Sequence, residues 1–136
     1  MNIEQMLENG MLRKEVCTKE MIDKELDQSE LDLQTAKESF EEGKYKWSIV
    51  QAYYSIFHIS RAMLFKKGYR EKSHFAVYLF LDYLCILQEL DQKYVAFFKA
   101  AMHAREDADY DAIFSEDVSK NIIDLAIEFQ KLKHKI

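Results

Sequence analysis

The stretch GKYKWSIVQAYYSIFHISRAMLFKKG, residues 43–68, decides the fold. Its terminal glycines, Gly43 and Gly68, bracket Lys44 to Lys67 with no proline between them. Glycine just past a helix end takes the left-handed conformation without strain, so both glycines read as stops. At about 1.5 Å per residue the enclosed segment predicts a helix of ~36 Å, the length of a bundle. Tyr45, Trp47, Ile49, Val50, Tyr53, Tyr54, Ile56, Phe57, Ile59, Met63, Leu64 and Phe65 wrap most of its circumference. Only Lys44, Ser48, Gln51, Ser55 and His58 form a polar stripe, at helical spacings of four, three, four and three. A helix apolar nearly all round is central in its bundle or is also covered by a partner chain.

Amphipathic segments flank this helix. Before Gly43, Thr18 to Glu42 repeats apolar residues at Met21, Ile22, Leu26, Leu33, Ala36 and Phe40, with Thr18 as candidate N-cap. After Gly68, Ser73 can cap the apolar run Phe75 to Leu87, which is too short for the ~20 residues of a membrane span and is broken by Asp82. Gln92 to Asp109 predicts another helix, and Ser115 opens a last one with Val118, Ile122, Leu125, Ile127, Phe129 and Leu132 as its apolar positions. Ile3 to Leu12 reads as a short, loosely attached helix. The expectation is an all-α fold, an antiparallel bundle of four to five helices. It forms a single domain over residues 1–136, with 1–17 peripheral and 18–136 as bundle core.

Composition supports this class. The 136 residues include no proline and three glycines, with 49% apolar side chains, whereas a β-sandwich needs turn residues every eight to twelve positions or so. Net charge is −5, with acids concentrated in residues 1–42, so bulk charge does not mark a polyanion binder. A local basic run remains in Arg61, Lys66, Lys67, Arg70 and Lys72, opposed only by Glu71. It reads either as a solvated helix tip favoured by the helix dipole or as a binding patch. Cys17 and Cys85 have no metal-ligand spacing and fit a reduced, cytoplasmic setting. Glu4 and Glu8 interrupt any apolar run near the start, so no leader is expected. No phosphate loop, HExxH or CxxC occurs, so neither a metal nor a cofactor is expected.

Three polar constellations remain. On the central helix Tyr54, His58 and Arg61 lie on adjacent turns. They are either core tyrosines with a histidine and an arginine reaching solvent, or part of a site. GYREKSH, residues 68–74, brings Arg70, Lys72 and His74 to a helix start, where backbone N–H groups favour an anion and where a plain capped turn would look the same. HAREDADYD, residues 103–111, closes a helix with Glu106, Asp107 and Asp109 against the macrodipole. Arg105 precedes Asp109 there in the weaker order for a helix ion pair, so local stability does not account for the arrangement.

The succession of an acidic helix, EEGKYKWSIVQAYYSIFHISRAMLFKKGYREKSH (41–74), HAREDADYD, and a final helix with LAIEF (125–129) resembles the HEPN domain, the higher eukaryotes and prokaryotes nucleotide-binding domain. The similarity is closest to a prokaryotic branch with an AYYxxFHxxRA helix, a K-[ST]-H turn and a later RxxxDY, and it covers about residues 24–132. The resemblance implies an all-α bundle that forms a homodimer and pairs with a small nucleotidyltransferase in toxin–antitoxin modules. It implies nucleotide or RNA as ligand and, in many members, metal-independent ribonuclease activity. The family's active site is an arginine followed four to six residues on by a histidine. Arg105 falls at the arginine, but Asp109 and Tyr110 stand where the histidine is expected and no histidine follows before His134. The resemblance therefore marks Arg105, Asp109 and Tyr110 as candidate catalytic positions. His58, Arg61, Arg70, His74 and His103 are the candidate ligand-binding side chains.

Overall fold

The computed structural model describes all 136 residues. Six helices form the fold: α1 (Ile3–Glu8), α2 (Lys19–Glu41), α3 (Tyr45–Lys66), α4 (His74–Ile86), α5 (Gln92–Tyr110) and α6 (Glu116–Phe129). A 3₁₀ turn over Gln130–Lys135 ends the chain. Helix starts follow local chemistry. Thr18, Ser73, Asp91 and Ser115 accept hydrogen bonds from the backbone N–H of Met21, Ala76, Lys93 and Val118, satisfying donors with no partner inside the helix. Gly43 and Gly68, at φ +75° and +85°, end α2 and α3 as their positions in the sequence predict.

The short connection from Glu41 to Tyr45 folds α2 back on α3 as an antiparallel helical hairpin. Helix α3 is central, packing against α2, α4, α5 and α6, with Ile49, Ala52, Tyr53, Ile56, Ile59, Ala62 and Leu64 fully buried. Phe57, Phe80, Phe98, Ile122 and Phe129 join the same core. Burying each such side chain contributes roughly 1.5–3 kcal/mol relative to exposure.

Beyond the exposed Lys44, the polar stripe of α3 faces α2, not solvent. Ser29 and Ser55 are completely buried, and each hydroxyl donates to the other residue's carbonyl, at 2.7 and 2.9 Å. Gln130 Nε2 closes the group, donating to Ser29 Oγ at 3.0 Å and Ser55 Oγ at 3.2 Å. Ser39 Oγ lies 2.8 Å from the Gln51 amide on the same seam. Small side chains that satisfy one another at Ser29, Ser55 and Gln130 let the two helices approach closely, while the buried Ser48 hydroxyl on the same stripe stays without a partner.

Residues 1–17 are bound more firmly than the loose helix expected from the sequence. Asn2 and Gln5 cap α1 reciprocally. Met6 and Leu12 enter the main core at 0% and 2% exposure. Strand β1 (Leu12–Lys14) pairs antiparallel with β2 (Tyr69–Glu71), in the register Leu12↔Glu71, Arg13↔Arg70, Lys14↔Tyr69. Three-residue strands whose partners lie so far apart in sequence leave no periodicity to read.

Candidate functional site

Successive residues of a helix rotate by about 100°, which sorts AYYSIFHISRA into separate surfaces. Ser55 and His58 turn to α2, and Arg61 turns to β2. Tyr53 and Tyr54 turn towards α4 and α5, where the chemically open cluster lies.

On the α2 and β2 side, charges neutralise one another. His58 Nδ1 lies 2.5 Å from Glu25 Oε2, and its Nε2 lies 3.4 Å from Asp32 Oδ2. Arg61 donates from Nε and Nη2 to Glu71 Oε2 at 2.9 and 2.6 Å, and from Nη1 to Glu25 at 3.3 Å. Its guanidinium also covers the Phe57 ring, 4.7 Å from the centroid. Burial raises the Glu25 pKa, but the His58 hydrogen bond and charge, with Arg61, outweigh it and hold the carboxyl below its ordinary value. The side chain of Glu71 is only 6% exposed, and its Oε1 has no partner. A groove of about 420 Å³ beside this network is lined by Lys24, His58, Arg61 and Arg70 together with Glu25.

The second cluster centres on Arg105. Its Nη2 donates to Tyr54 Oη at 3.3 Å, and its Nε lies 3.0 Å from Asp109 Oδ2 but makes no hydrogen bond. Nη1 has no protein partner. The guanidinium carbon stands 5.5–5.9 Å from the rings of Tyr53, Tyr54 and Tyr110. Burial works against this charge, but Tyr54, Tyr110 and Asp109 outweigh it and keep the group cationic.

His74, the first residue of α4, closes the cluster from the other side. Its Nδ1 is 2.6 Å from Tyr53 Oη, and its ring stacks on Phe57 at 4.1 Å between centroids. Tyr53 and Tyr54 also touch it, at 5.7 and 5.9 Å. Burial lowers the His74 pKa, and the positive charges of Arg105 and Arg61 lower it further. Burial also raises the Tyr53 hydroxyl well above its ordinary range, so it stays a phenol. A fixed cation with a free donor, a neutral imidazole with an unpartnered Nε2 and the accessible rings of Tyr54 and Tyr110 thus lie around the buried Tyr53. Such a group can hold a phosphate and stack a base.

A family model of the HEPN domain matches residues 22–136. The chain belongs to the HEPN domain family. No curated protein matches it.

Within this HEPN chain the structure gathers some of the sequence candidates and separates others. Arg105, Asp109, Tyr110 and His74 meet with Tyr53 and Tyr54. His103 is exposed and lines a different groove, with Ile113, Phe114 and Val118, because two residues of helix turn it away from Arg105. His58 and Arg61 are engaged by carboxylates. Arg70 lies over Phe65 and 3.3 Å from Glu15, away from His74. The basic run is equally dispersed: Lys66 donates to Ile136 O and Lys67 pairs with Glu89. The residues that sequence reasoning missed are Tyr53 as the His74 partner and Glu25, Asp32 and Glu71 as the counter-charges. Glu71 alone left a signal, as the single acid in the basic run.

Proposed function

We propose that this protein binds the phosphate of a nucleotide or RNA at Arg105. In this reading it works in the cytoplasm as a homodimer and as one half of a toxin–antitoxin-like module with a small nucleotidyltransferase. The observation that carries the binding reading is the state of Arg105. It is a largely buried cation with one long hydrogen bond, one unaligned carboxylate and a free Nη1, set among three tyrosine rings. A guanidinium with only a structural role normally spends its donors on aligned acceptors, as Arg61 does in the same chain. Membership of the HEPN family supports the nucleotide class, the dimer and the partner. Tyr110, at 72% exposure and 5.5 Å from the Arg105 guanidinium, supplies apolar surface that a second copy would cover. No helix is long and apolar enough to cross a membrane.

The test is binding of a labelled single-stranded RNA and of nucleotides to the wild type and to Arg105→Ala. A loss of about tenfold or more with an unchanged melting temperature supports the site, since one hydrogen bond to a charged group contributes roughly 1.5–3 kcal/mol. Loss of the fold or the dimer in the variant supports the alternative, a non-catalytic interaction scaffold. That alternative draws on the Arg105 contacts to Asp109 and Tyr54. The same preparations, incubated with RNA in EDTA, test the ribonuclease reading. Cleavage abolished in Arg105→Ala would establish it.

A further inference from the structure

Resting on the Arg105 reading, we propose that this site takes a terminal phosphate monoester in preference to an internal phosphodiester, with His74 as its second contact, protonated as the ligand binds. The geometry is that of two donors bordering one pair of tyrosine rings. Arg105 and His74 touch the same two tyrosine rings from different elements, α5 and the start of α4. Tyr53 fixes the imidazole through Nδ1 at 2.6 Å and Phe57 fixes its plane, which leaves Nε2 as the only ring nitrogen free for a ligand.

Charge decides between the ester classes. In the free protein His74 faces Arg105 from α5, Arg61 and His58 from α3, and Glu71 from β2, with the Tyr53 and Tyr54 phenols beside it. Burial and the two arginines keep it neutral against the single carboxylate. A phosphodiester brings one negative charge, which Arg105 alone balances. A monoester brings nearly two above its second pKa of about 6, and the extra charge offsets the repulsion that kept His74 neutral. A proton from solvent then occupies the imidazole. Nδ1–H donates to the Tyr53 oxygen, Nε2–H donates to the phosphate, and no bond in the ligand breaks. His74 opens α4, so the positive end of that helix adds to the same field.

The experiment compares the dinucleotides pUpU and UpU, which differ by the terminal phosphate, by calorimetry on the full chain. At pH 7.5 the monoester is already ionised, so proton uptake belongs to the protein. Titrations in buffers of different ionisation enthalpy read that uptake. The expected result is binding of pUpU about tenfold or more tighter than UpU, with net proton uptake that His74→Gln abolishes. The histidine ring resonances of the wild type provide a second readout that needs no variant. One imidazole shifts to its protonated position on adding pUpU and not on adding UpU. Equal, Arg105-dependent binding of the two dinucleotides would overturn the proposal while leaving the Arg105 site standing. Uptake that persists in His74→Gln would likewise overturn it. No binding of either dinucleotide would overturn both.

Discussion

Arg61→Leu tests whether the charges beneath AYYSIFHISRA serve architecture. The substitution keeps aliphatic cover on Phe57 and removes the cation that bridges Glu71 and Glu25. Those carboxylates are 6% and 12% exposed, and Glu71 Oε1 already lacks a partner, so solvent cannot replace the lost guanidinium there. Removing one member of a buried ion pair costs about 3–5 kcal/mol, chiefly through the charge left behind. For a chain of this size that lowers the melting temperature by roughly 10–15 °C. Urea titration at pH 7 should show a lower midpoint with an unchanged slope. The double variant Arg61→Leu with Glu71→Leu should recover at least half of the loss, since it leaves no unpaired charge on β2. A deficit under about 1 kcal/mol, within the range of exposed pairs, would refute the reasoning and return Arg61 to the candidates for ligand binding.

Other outcomes follow from the same structure. The Glu25 pKa lies below its ordinary value in the fold, so its contribution is present above that value and lost as pH falls through the lowered one. Acid denaturation of Glu25→Gln should therefore be shallower than that of the wild type below about pH 4.5. The His74 pKa is lowered too, so the native state resists a proton that the unfolded chain accepts below about pH 6.5, and stability falls with acidification from there. His74→Gln should flatten the stability curve between pH 6.5 and 5, read by thermal melts at fixed ionic strength. Ser55→Ala should cost roughly 0.5–1.5 kcal/mol through its lost hydrogen bond, and Ser55→Leu more, because overpacking the α2–α3 seam adds about 1–3 kcal/mol. Met6→Ala should cost about 2–5 kcal/mol by leaving a cavity, a result measurable by urea unfolding that a loosely attached α1 would not give.

The bundle was legible because its signals are local. Two glycines with positive φ bound α3, serine, threonine and aspartate side chains start four helices, and the apolar positions repeat at helical spacing. What the sequence could not supply depends on pairs distant along the chain. Leu12 meets Glu71 across a two-stranded ladder, and Gln130 reaches Ser29 and Ser55 from the last turn. The polar stripe of α3 was visible, but its direction was not, since water, a second subunit and α2 all accept Ser48, Gln51, Ser55 and His58 equally well at the level of periodicity. The candidate site divides in the same way. Arg105 stood out because its order with Asp109 and the acids at the end of α5 oppose helix stability. His74 stood out only as one of several bases in a turn, because its partner Tyr53 lies 21 residues away on another element.

This division explains why one helix can carry both a charge network and an open cluster. On one face of α3, His58 and Arg61 are met by three carboxylates, and an added anion would have to displace Glu25 or Glu71 from short contacts. On the other, Tyr53 and Tyr54 present phenols that stay neutral or accept a proton, and the only carboxylate on Arg105 sits on its Nε edge without a hydrogen bond. A ligand phosphate entering there meets a donor whose side chain is already held among rings, so little ordering remains to oppose its binding. The carboxylates on the first face hold α2, α3 and β2 in one arrangement, and that arrangement sets the position of the tyrosines on the second. Loss of Arg61 should therefore weaken ligand binding at Arg105 through the fold, while also removing one of the charges that keep His74 neutral. Affinity should recover in the Arg61→Leu and Glu71→Leu double variant alongside its stability.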